Sequence, residues 1–143
     1  MKIKRIGSVV WTGGIKDGKG AISTQSSALK DYPYGFGSRF EGLPGTNPEE
    51  LLAAAHASCF TMALSLILGE ANLRAERLNT SAEVTLESVD GGYAISTIHL
   101  RVSGKVPGAD EETFARLAAA AKVGCPVSKV LNAEVTLDVE LVV

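Results

Sequence analysis

The sequence is poor in residues that crosslink chains or bind metals, and it carries no surplus of positive charge. Its 143 residues include two cysteines, two histidines and one tryptophan, and the formal net charge is -2. Two cysteines are too few for a small scaffold held together by several disulfides. The lack of a basic surplus argues against a phosphate backbone as ligand, so we expect no nucleic-acid partner.

The chain has the apolar content that one hydrophobic core needs. Hydrophobic residues make up 45% of the sequence and charged residues 21%, a balance typical of soluble globular proteins. The length suits a single domain, which we expect over residues 1–143. No apolar stretch follows the first five residues, so we expect no secretory signal and a cytoplasmic location. Permanent disulfides are rare in the cytoplasm, so the two cysteines are either inert or chemically active.

The hydrophobic pattern predicts an α+β fold with a largely antiparallel sheet, because strands grouped in hairpins surround two main helices. The predicted strands are residues 3–12, residues 20–26, residues 80–89, the stretch around Ile98 to Val102, and the stretch from Val135 to Leu141. The predicted helices are residues 48–71, residues 110–123, and a short helix from Pro126 to Leu131. Residues 27–46 show neither the helical nor the strand periodicity of apolar residues, and we expect an irregular connection there.

The helix predicted from Pro48 to about Ala71 is apolar on nearly every side. Asn47 is expected to cap it, and Pro48 suits its first position. Such a helix is either the buried centre of a globular protein or a membrane span. Its polar interruptions are His56, Ser58, Thr61 and Ser65. The uninterrupted apolar run is shorter than the roughly 20 residues that a bilayer needs, so we expect no membrane. Since so short a chain covers such a helix poorly, we expect a homodimer.

The two cysteines have different predicted surroundings. Cys59 lies in the middle of the apolar helix, where a thiol ordinarily packs as a small hydrophobic side chain. Cys125 precedes Pro126 at the start of a short helix, where free backbone N–H groups and the helix dipole favour a thiolate. Each cysteine therefore has an inert interpretation, as a packing residue or a cap, beside a chemical one. Their positions alone leave that choice open.

The two histidines could act beside these thiols either as a base or as metal ligands. His56 lies on the same helix face as Cys59, either as its base or as a hydrogen-bonded packing residue. A tetrahedral metal site would require His56, Cys59, His99 and Cys125 together. His99 falls on the polar face of its strand, away from the core, so we expect no metal.

The segment before the long helix combines aromatic side chains with two charged residues. Large apolar side chains in a long connection seek burial or a ligand, so they form either a satellite cluster or a substrate pocket. The candidate substrate contacts are Tyr32, Tyr34, Phe36, Phe40 and Phe60. Arg39 and Glu49 are either a surface charge and a helix cap, or a pair in which the carboxylate fixes a guanidinium that lowers the pKa of a thiol.

Two segments of the chain resemble the osmotically inducible protein C and organic hydroperoxide resistance (OsmC/Ohr) family. One runs from Gly45 to Leu64 and contains Ala-Ala-Ala-His-Ala-Ser-Cys, which ends at Cys59. The other is Gly-Cys-Pro-Val-Ser, in which the cysteine is Cys125. The resemblance extends from the hairpin at Trp11 to the last strand. His56 and residues 33–42 are similar to the OsmC branch.

This resemblance implies a thiol peroxidase of the OsmC-like fold, assembled as an intertwined homodimer and active in oxidative and osmotic stress defence. It implies that Cys59 attacks the peroxide, that Cys125 resolves the oxidised thiol as a disulfide, and that Arg39 and Glu49 assist Cys59. Organic hydroperoxides are the implied substrates. The implied reductant is an external dithiol, either a lipoylated protein or a small dithiol, and no bound cofactor is expected. The alternatives are a general disulfide reductase, a redox sensor and an apolar-ligand binding protein.

Overall fold

A computed structural model describes residues Met1–Val143 and shows a mixed α+β chain. The strands are β1 (Gly7–Thr12), β2 (Lys19–Thr24), β3 (Tyr32–Tyr34), β4 (Arg77–Val89), β5 (Gly92–Lys105) and β6 (Glu134–Val142). The helices are α1 (Phe36–Phe40), α2 (Pro48–Glu70), α3 (Glu111–Gly124) and α4 (Pro126–Val130). The chain divides into two compact units, the N-terminal unit Met1–Leu51 and the C-terminal unit Leu52–Val143. The single domain predicted over residues 1–143 stays a prediction.

The N-terminal unit contains an antiparallel sheet in the order β1-β2-β3. Its first hairpin confirms the two strands predicted there, and the Gly14 N–H donates to the Asp17 carboxylate within the turn, at 3.0 Å. The expected irregular connection over residues 27–46 is wrong, because β3 and α1 lie within that segment. A three-residue strand and a five-residue helix are too short to show a hydrophobic period in the sequence.

Helix α2 begins as the sequence predicts. The Glu50 N–H donates to the Asn47 side-chain oxygen at 2.8 Å, which satisfies one of the backbone donors that a helix leaves free at its start. Pro48 occupies the first helical position, where its missing N–H costs no hydrogen bond. The acidic residues Glu49 and Glu50 follow in the first turn, where the helix dipole favours negative charge.

The C-terminal unit contains a second sheet in the order β4-β5-β6. Strands β4 and β5 form the predicted long hairpin, turning at Gly91 and Gly92, whose positive φ angles of 87° and 150° suit glycine. Strand β6 pairs with β5 in parallel. In this sheet only the pairing of β4 with β5 is therefore antiparallel. Helices α3 and α4 lie between β5 and β6 in sequence, and a parallel pairing requires a crossover of this kind.

The core of the C-terminal unit forms between α2, α3 and the inner face of its sheet. Its fully buried residues include Phe60 and Leu64 of α2, Leu100 of β5 and Phe114 of α3. Burying side chains of this size contributes roughly 1.5–3 kcal/mol each relative to leaving them in water. Gly104 is required opposite Phe114, because a Cβ at that position would lie 2.5 Å from the phenyl ring.

Within one chain, the buried residues of α2 share a single face of the helix. They are His56, Phe60, Leu64 and Leu68, and they recur at the four-residue spacing that aligns side chains on a helix. Met62 and Leu66 remain 77% and 65% exposed. By length and composition α2 alone among the helices is apolar enough to cross a membrane. Its buried face belongs to the core of a globular unit, as the sequence predicts.

Candidate functional site

Helix α2 and the junction of α3 with α4 bring the two cysteines together. Cys125 ends α3 and caps α4, in an extended conformation with φ -61° and ψ 124° that lets the chain change direction between the helices. Both cysteines are free thiols, and their side chains are hydrogen-bonded to each other. Cys59 is partly exposed, whereas Cys125 is completely buried. An external reagent therefore reaches the pair through Cys59.

The surroundings of the two thiols move their pKa values in opposite directions. Burial raises the pKa of Cys59, the hydrogen bond with Cys125 raises it further, and a hydrogen bond from the Val127 N–H opposes both. Burial also raises the pKa of Cys125, but hydrogen bonds from the Cys59 thiol, from Ser128 and from the Val127 N–H outweigh burial and leave that pKa lowered. These contacts therefore favour the thiolate form of Cys125 more than that of Cys59.

A second hydrogen-bonded pair extends from Cys125 into the core. Ser128, on α4, contacts the Cys125 sulfur through both its backbone N–H and its hydroxyl group. The Ser128 Oγ lies 2.7 Å from Nε2 of His56, which is completely buried on α2. Burial lowers the pKa of His56, so the imidazole is neutral at neutral pH. His56 is thus a hydrogen-bonded buried residue whose partner is Ser128.

In the N-terminal unit, Arg39 and Glu49 form an ion pair. The Arg39 guanidinium donates from Nε and from a terminal nitrogen, and its shortest contact with the Glu49 carboxylate is 2.6 Å. Ser38, the residue before Arg39, is held in place because its hydroxyl donates to the Thr46 carbonyl at 2.7 Å. Paired donors of this kind restrict the orientation of the guanidinium plane. Glu49 therefore holds Arg39 in one position while the arginine side chain stays 36% exposed.

Aromatic side chains of the N-terminal unit line an open cavity of about 210 Å³ beside Arg39. Two tilted ring pairs form its walls, Trp11 with Tyr34 at 5.6 Å between ring centres and Phe36 with Phe40 at 4.9 Å. The Arg39 guanidinium lies 5.3 Å from the centre of the Phe40 ring. The complete lining is Trp11, Ile15, Tyr34, Gly35, Phe36, Arg39 and Phe40. This cavity is mostly apolar, and one oriented cation lies in its wall.

The remaining candidate residues lie outside that cavity. Tyr32 is 45% exposed on β3 and does not line it. Phe60 is completely buried in the core of the C-terminal unit, where it packs against protein rather than facing an open pocket. His99 is hydrogen-bonded to Thr136 and Asp138 of the neighbouring strand β6. No group of three or more His, Cys, Asp or Glu side chains is arranged to hold a metal ion.

Three residues of the cavity and of the thiol pair's surroundings could not be identified from the sequence alone. Trp11 and Ile15 lie in and beside the first hairpin, far along the chain from the aromatic segment whose cavity they complete. The single tryptophan in a short strand was the available signal for that cavity. Ser128 follows Cys125 by three positions, a spacing that places both side chains on one side of a helical turn. Serine is too common in helices for this spacing alone to indicate a role.

Comparison with known proteins assigns the family. The family model described as OsmC-like protein matches residues 40–140. Peroxiredoxin OsmC of Escherichia coli (strain K12) is 54% identical over 141 residues, which cover 99% of each chain. Organic hydroperoxide resistance protein OhrB of Bacillus subtilis (strain 168) is 35% identical over 102 residues, covering 71% of this chain and 73% of that protein.

A solved structure supports the same assignment. The crystal structure of OhrB of Bacillus subtilis matches this chain with a TM-score of 0.74 and 30% sequence identity, covering 94% of this chain and 98% of that one. The resemblance drawn from the two cysteine motifs is therefore confirmed, and so is the expected OsmC-like α+β fold. The chain belongs to the OsmC-like protein family.

Proposed function

We propose that this protein is a thiol peroxidase that reduces organic hydroperoxides to alcohols. The observation that carries the proposal is the hydrogen-bonded pair of free cysteines, one partly exposed and one buried. Full-length similarity to a protein named peroxiredoxin OsmC, and similarity to proteins named for organic hydroperoxide resistance, support this chemistry. A redox pair of this kind needs no further electron source within the protein, since the two thiols supply both electrons.

The proposed reaction begins with ionisation of the Cys59 thiol. Cys59 gives its proton to water, and the resulting thiolate attacks the distal peroxide oxygen. The O–O bond breaks, the alkoxide takes a proton from water and leaves as the alcohol, and Cys59 becomes a sulfenic acid. The Cys125 thiol then displaces hydroxide from Cys59, its proton joins that hydroxide as water, and the Cys59–Cys125 disulfide forms. The sum is two thiols and one hydroperoxide giving one disulfide, one alcohol and water.

Regeneration requires an external dithiol, because the chain contains no third cysteine. We propose a lipoylated protein or a small dithiol in this role, as the family resemblance implies. Two successive exchange steps return Cys59 and Cys125 to thiols and leave the donor as a cyclic disulfide. The cytoplasm, where such dithiols are kept reduced, is the proposed location.

The decisive experiment separates catalytic turnover from stoichiometric oxidation. Thiols are counted with Ellman's reagent before and after one equivalent of cumene hydroperoxide, and peroxide consumption is then followed with excess dihydrolipoamide. The peroxidase proposal requires loss of both thiols followed by sustained turnover. Oxidation that persists in the presence of the dithiol would instead indicate a redox sensor. Disulfide reduction without peroxide consumption would indicate a general disulfide reductase.

We further propose that Arg39 and Glu49 assist the attack by Cys59. Burial and the contact with Cys125 hold the pKa of Cys59 up, so the nucleophile needs a positive charge that favours its thiolate. Arg39→Ala removes that charge, and Glu49→Ala releases its orientation. We expect either change to raise the apparent pKa of Cys59 by about one unit and to slow peroxide reduction about tenfold or more.

The measurement is the alkylation rate of Cys59 as a function of pH, made in the Cys125→Ser background so that one thiol reports. Since the Arg39 side chain is 36% exposed, the thermal midpoint of unfolding is expected to change little when this ion pair is lost. Glu50→Ala serves as the matched control, because Glu50 is also in the first turn of α2 but contacts Thr46 instead. Profiles that coincide in all variants would return Arg39 and Glu49 to a surface charge and a helix cap.

We propose that the working form is a homodimer. Apolar side chains that one chain leaves exposed include Met62 and Leu66 on α2 and Val9 and Val10 on β1. Exposed apolar surface of this kind favours association with a partner surface. Light scattering is expected to report about twice the chain mass of 14.9 kDa. Met62→Lys with Leu66→Lys is expected to weaken the dimer, and a folded wild-type monomer at micromolar concentration would contradict the proposal.

A further inference from the structure

The Cys125 sulfur is surrounded by hydrogen-bond donors although it is completely buried. Its contacts are the Cys59 thiol, the Val127 N–H, the Ser128 N–H and the Ser128 hydroxyl. Two of these donors are backbone N–H groups with fixed directions, and the Cys59 thiol is itself ionisable. The Ser128 hydroxyl is therefore the one neutral side-chain donor, and it can rotate toward or away from the Cys125 sulfur. A buried anion is costly unless it is hydrogen-bonded, so the direction in which that hydroxyl points matters to the charge on Cys125.

The buried imidazole of His56 determines that direction. Its Nε2 lies 2.7 Å from the Ser128 Oγ, and its Nδ1 is buried without a hydrogen-bond partner. If Nδ1 carried the proton, a buried N–H would lack an acceptor, which is rarer in proteins than a buried acceptor without a donor. The proton therefore belongs on Nε2, and Nε2–H donates to the Ser128 Oγ. The Ser128 hydroxyl hydrogen is then free to point at the Cys125 sulfur.

We propose that Ser128, oriented by His56, is the donor that holds negative charge on the Cys125 sulfur and so makes Cys125 the leaving group when the disulfide is reopened. This inference rests on the proposed thiol–disulfide cycle and names two residues that the cysteine motifs alone do not assign. Ser128 touches a reacting atom. His56 acts through Ser128 and is a positioning residue.

The proposal fixes which sulfur the external dithiol attacks. One thiolate of the donor bonds to the Cys59 sulfur, the Cys59–Cys125 bond breaks, and the electron pair leaves with Cys125 as a thiolate. The second donor thiol then attacks the donor's own sulfur in the mixed disulfide, and the donor closes as a cyclic disulfide. Cys59 leaves as a thiolate and takes up, through water, the proton that the second donor thiol loses. Exchange is faster when the departing thiol has a lower pKa. The exposure of Cys59 and the burial of Cys125 favour the same direction.

The first test measures the acidity of Cys125 without any peroxide. In a Cys59→Ser protein a single thiol remains, and its ionisation is followed by thiolate absorbance at about 240 nm across a pH titration. A hydrogen bond to a charged group is worth about tenfold or more in such an equilibrium, so adding Ser128→Ala is expected to raise the Cys125 midpoint by about one pH unit. Ser128→Thr, which keeps the hydroxyl, is expected to restore most of the shift.

The same titration tests His56. His56→Gln places an amide N–H near the position of Nε2 and is expected to leave the midpoint close to that of the parent. His56→Leu removes the donor and is expected to move the midpoint in the direction of Ser128→Ala. If His56→Leu does not fold, the two Ser128 variants still decide the proposal. Ser58→Ala is the matched control, because that hydroxyl donates to the Ala55 carbonyl of its own helix.

The second test follows the reopening of the disulfide in proteins that keep both cysteines. The disulfide is formed with diamide, and its reduction by dithiothreitol is timed at fixed pH. We expect Ser128→Ala to slow the first exchange step several-fold, Ser128→Thr to recover it, and Ser58→Ala to match the wild type. Unchanged Cys125 acidity together with unchanged reduction in Ser128→Ala would overturn the proposal.

Neither test uses a hydroperoxide, so each tests the role of Ser128 independently of the proposed peroxidase activity. A protein without peroxide turnover can still show the Ser128 effect on Cys125. A peroxidase without the Ser128 effect would leave His56 and Ser128 as a packing pair.

Discussion

Replacing Cys59 by serine is expected to abolish peroxide reduction, whereas replacing Cys125 by serine is expected to leave a protein that consumes a single equivalent and then stops. The two thiols differ in exposure, since Cys59 reaches solvent and Cys125 does not. A peroxide therefore meets Cys59 first. Without the Cys59 sulfur no sulfenate forms, and without the Cys125 sulfur the sulfenate has no thiol partner within the chain.

Sulfenate trapping with dimedone and intact-mass spectrometry distinguishes the two variants. In Cys125→Ser one dimedone adduct is expected on Cys59, and turnover with a dithiol should fall by several orders of magnitude in Cys59→Ser. Ser58→Ala, next to Cys59 on α2, is the control for disturbance of the helix. An adduct on Cys125 with retained turnover in Cys59→Ser would reverse the assigned roles.

The helices and strands with clear periodicity could be predicted from the sequence because local residues determine them. Asn47, Pro48 and the acidic first turn define the start of α2, and the alternation around Leu100 marks the buried face of β5. Cys125 and Pro126 mark the boundary between α3 and α4. Each of these signals lies within a few residues of the feature that it predicts.

Features that depend on distant parts of the chain could not be predicted in this way. The parallel pairing of β6 with β5 depends on the path of α3 and α4, and alternation along β6 is the same for either direction. The contact of His56 with Ser128 joins two helices that are far apart in sequence. The family resemblance implies that Cys59 is the nucleophile. The lowered pKa of Cys125, by contrast, follows from hydrogen-bond donors that only the fold brings together.

We propose that the cavity beside Arg39 receives the organic part of the substrate. The same O–O bond is broken in every hydroperoxide, so any preference must come from the rest of the substrate. The cavity measures about 210 Å³, and an apolar cavity of about 150 Å³ is large enough to hold benzene. Burying an alkyl group contributes about 0.8 kcal/mol per CH₂, so a four-carbon group contributes about 3 kcal/mol if fully enclosed. Hydrogen peroxide has no group to place there.

We therefore expect kcat/KM for cumene or tert-butyl hydroperoxide to exceed that for hydrogen peroxide by about a hundredfold. Phe36→Ala and Phe40→Ala each remove a ring from the cavity wall. Each is expected to lower this ratio about tenfold, because kcat/KM falls for the organic hydroperoxides and changes little for hydrogen peroxide. Tyr32→Ala is the matched control, because Tyr32 is an exposed aromatic residue of the same segment outside the cavity. A wild-type ratio near one would make the aromatic cluster a packing feature, and a high ratio unchanged in both phenylalanine variants would place the alkyl group elsewhere.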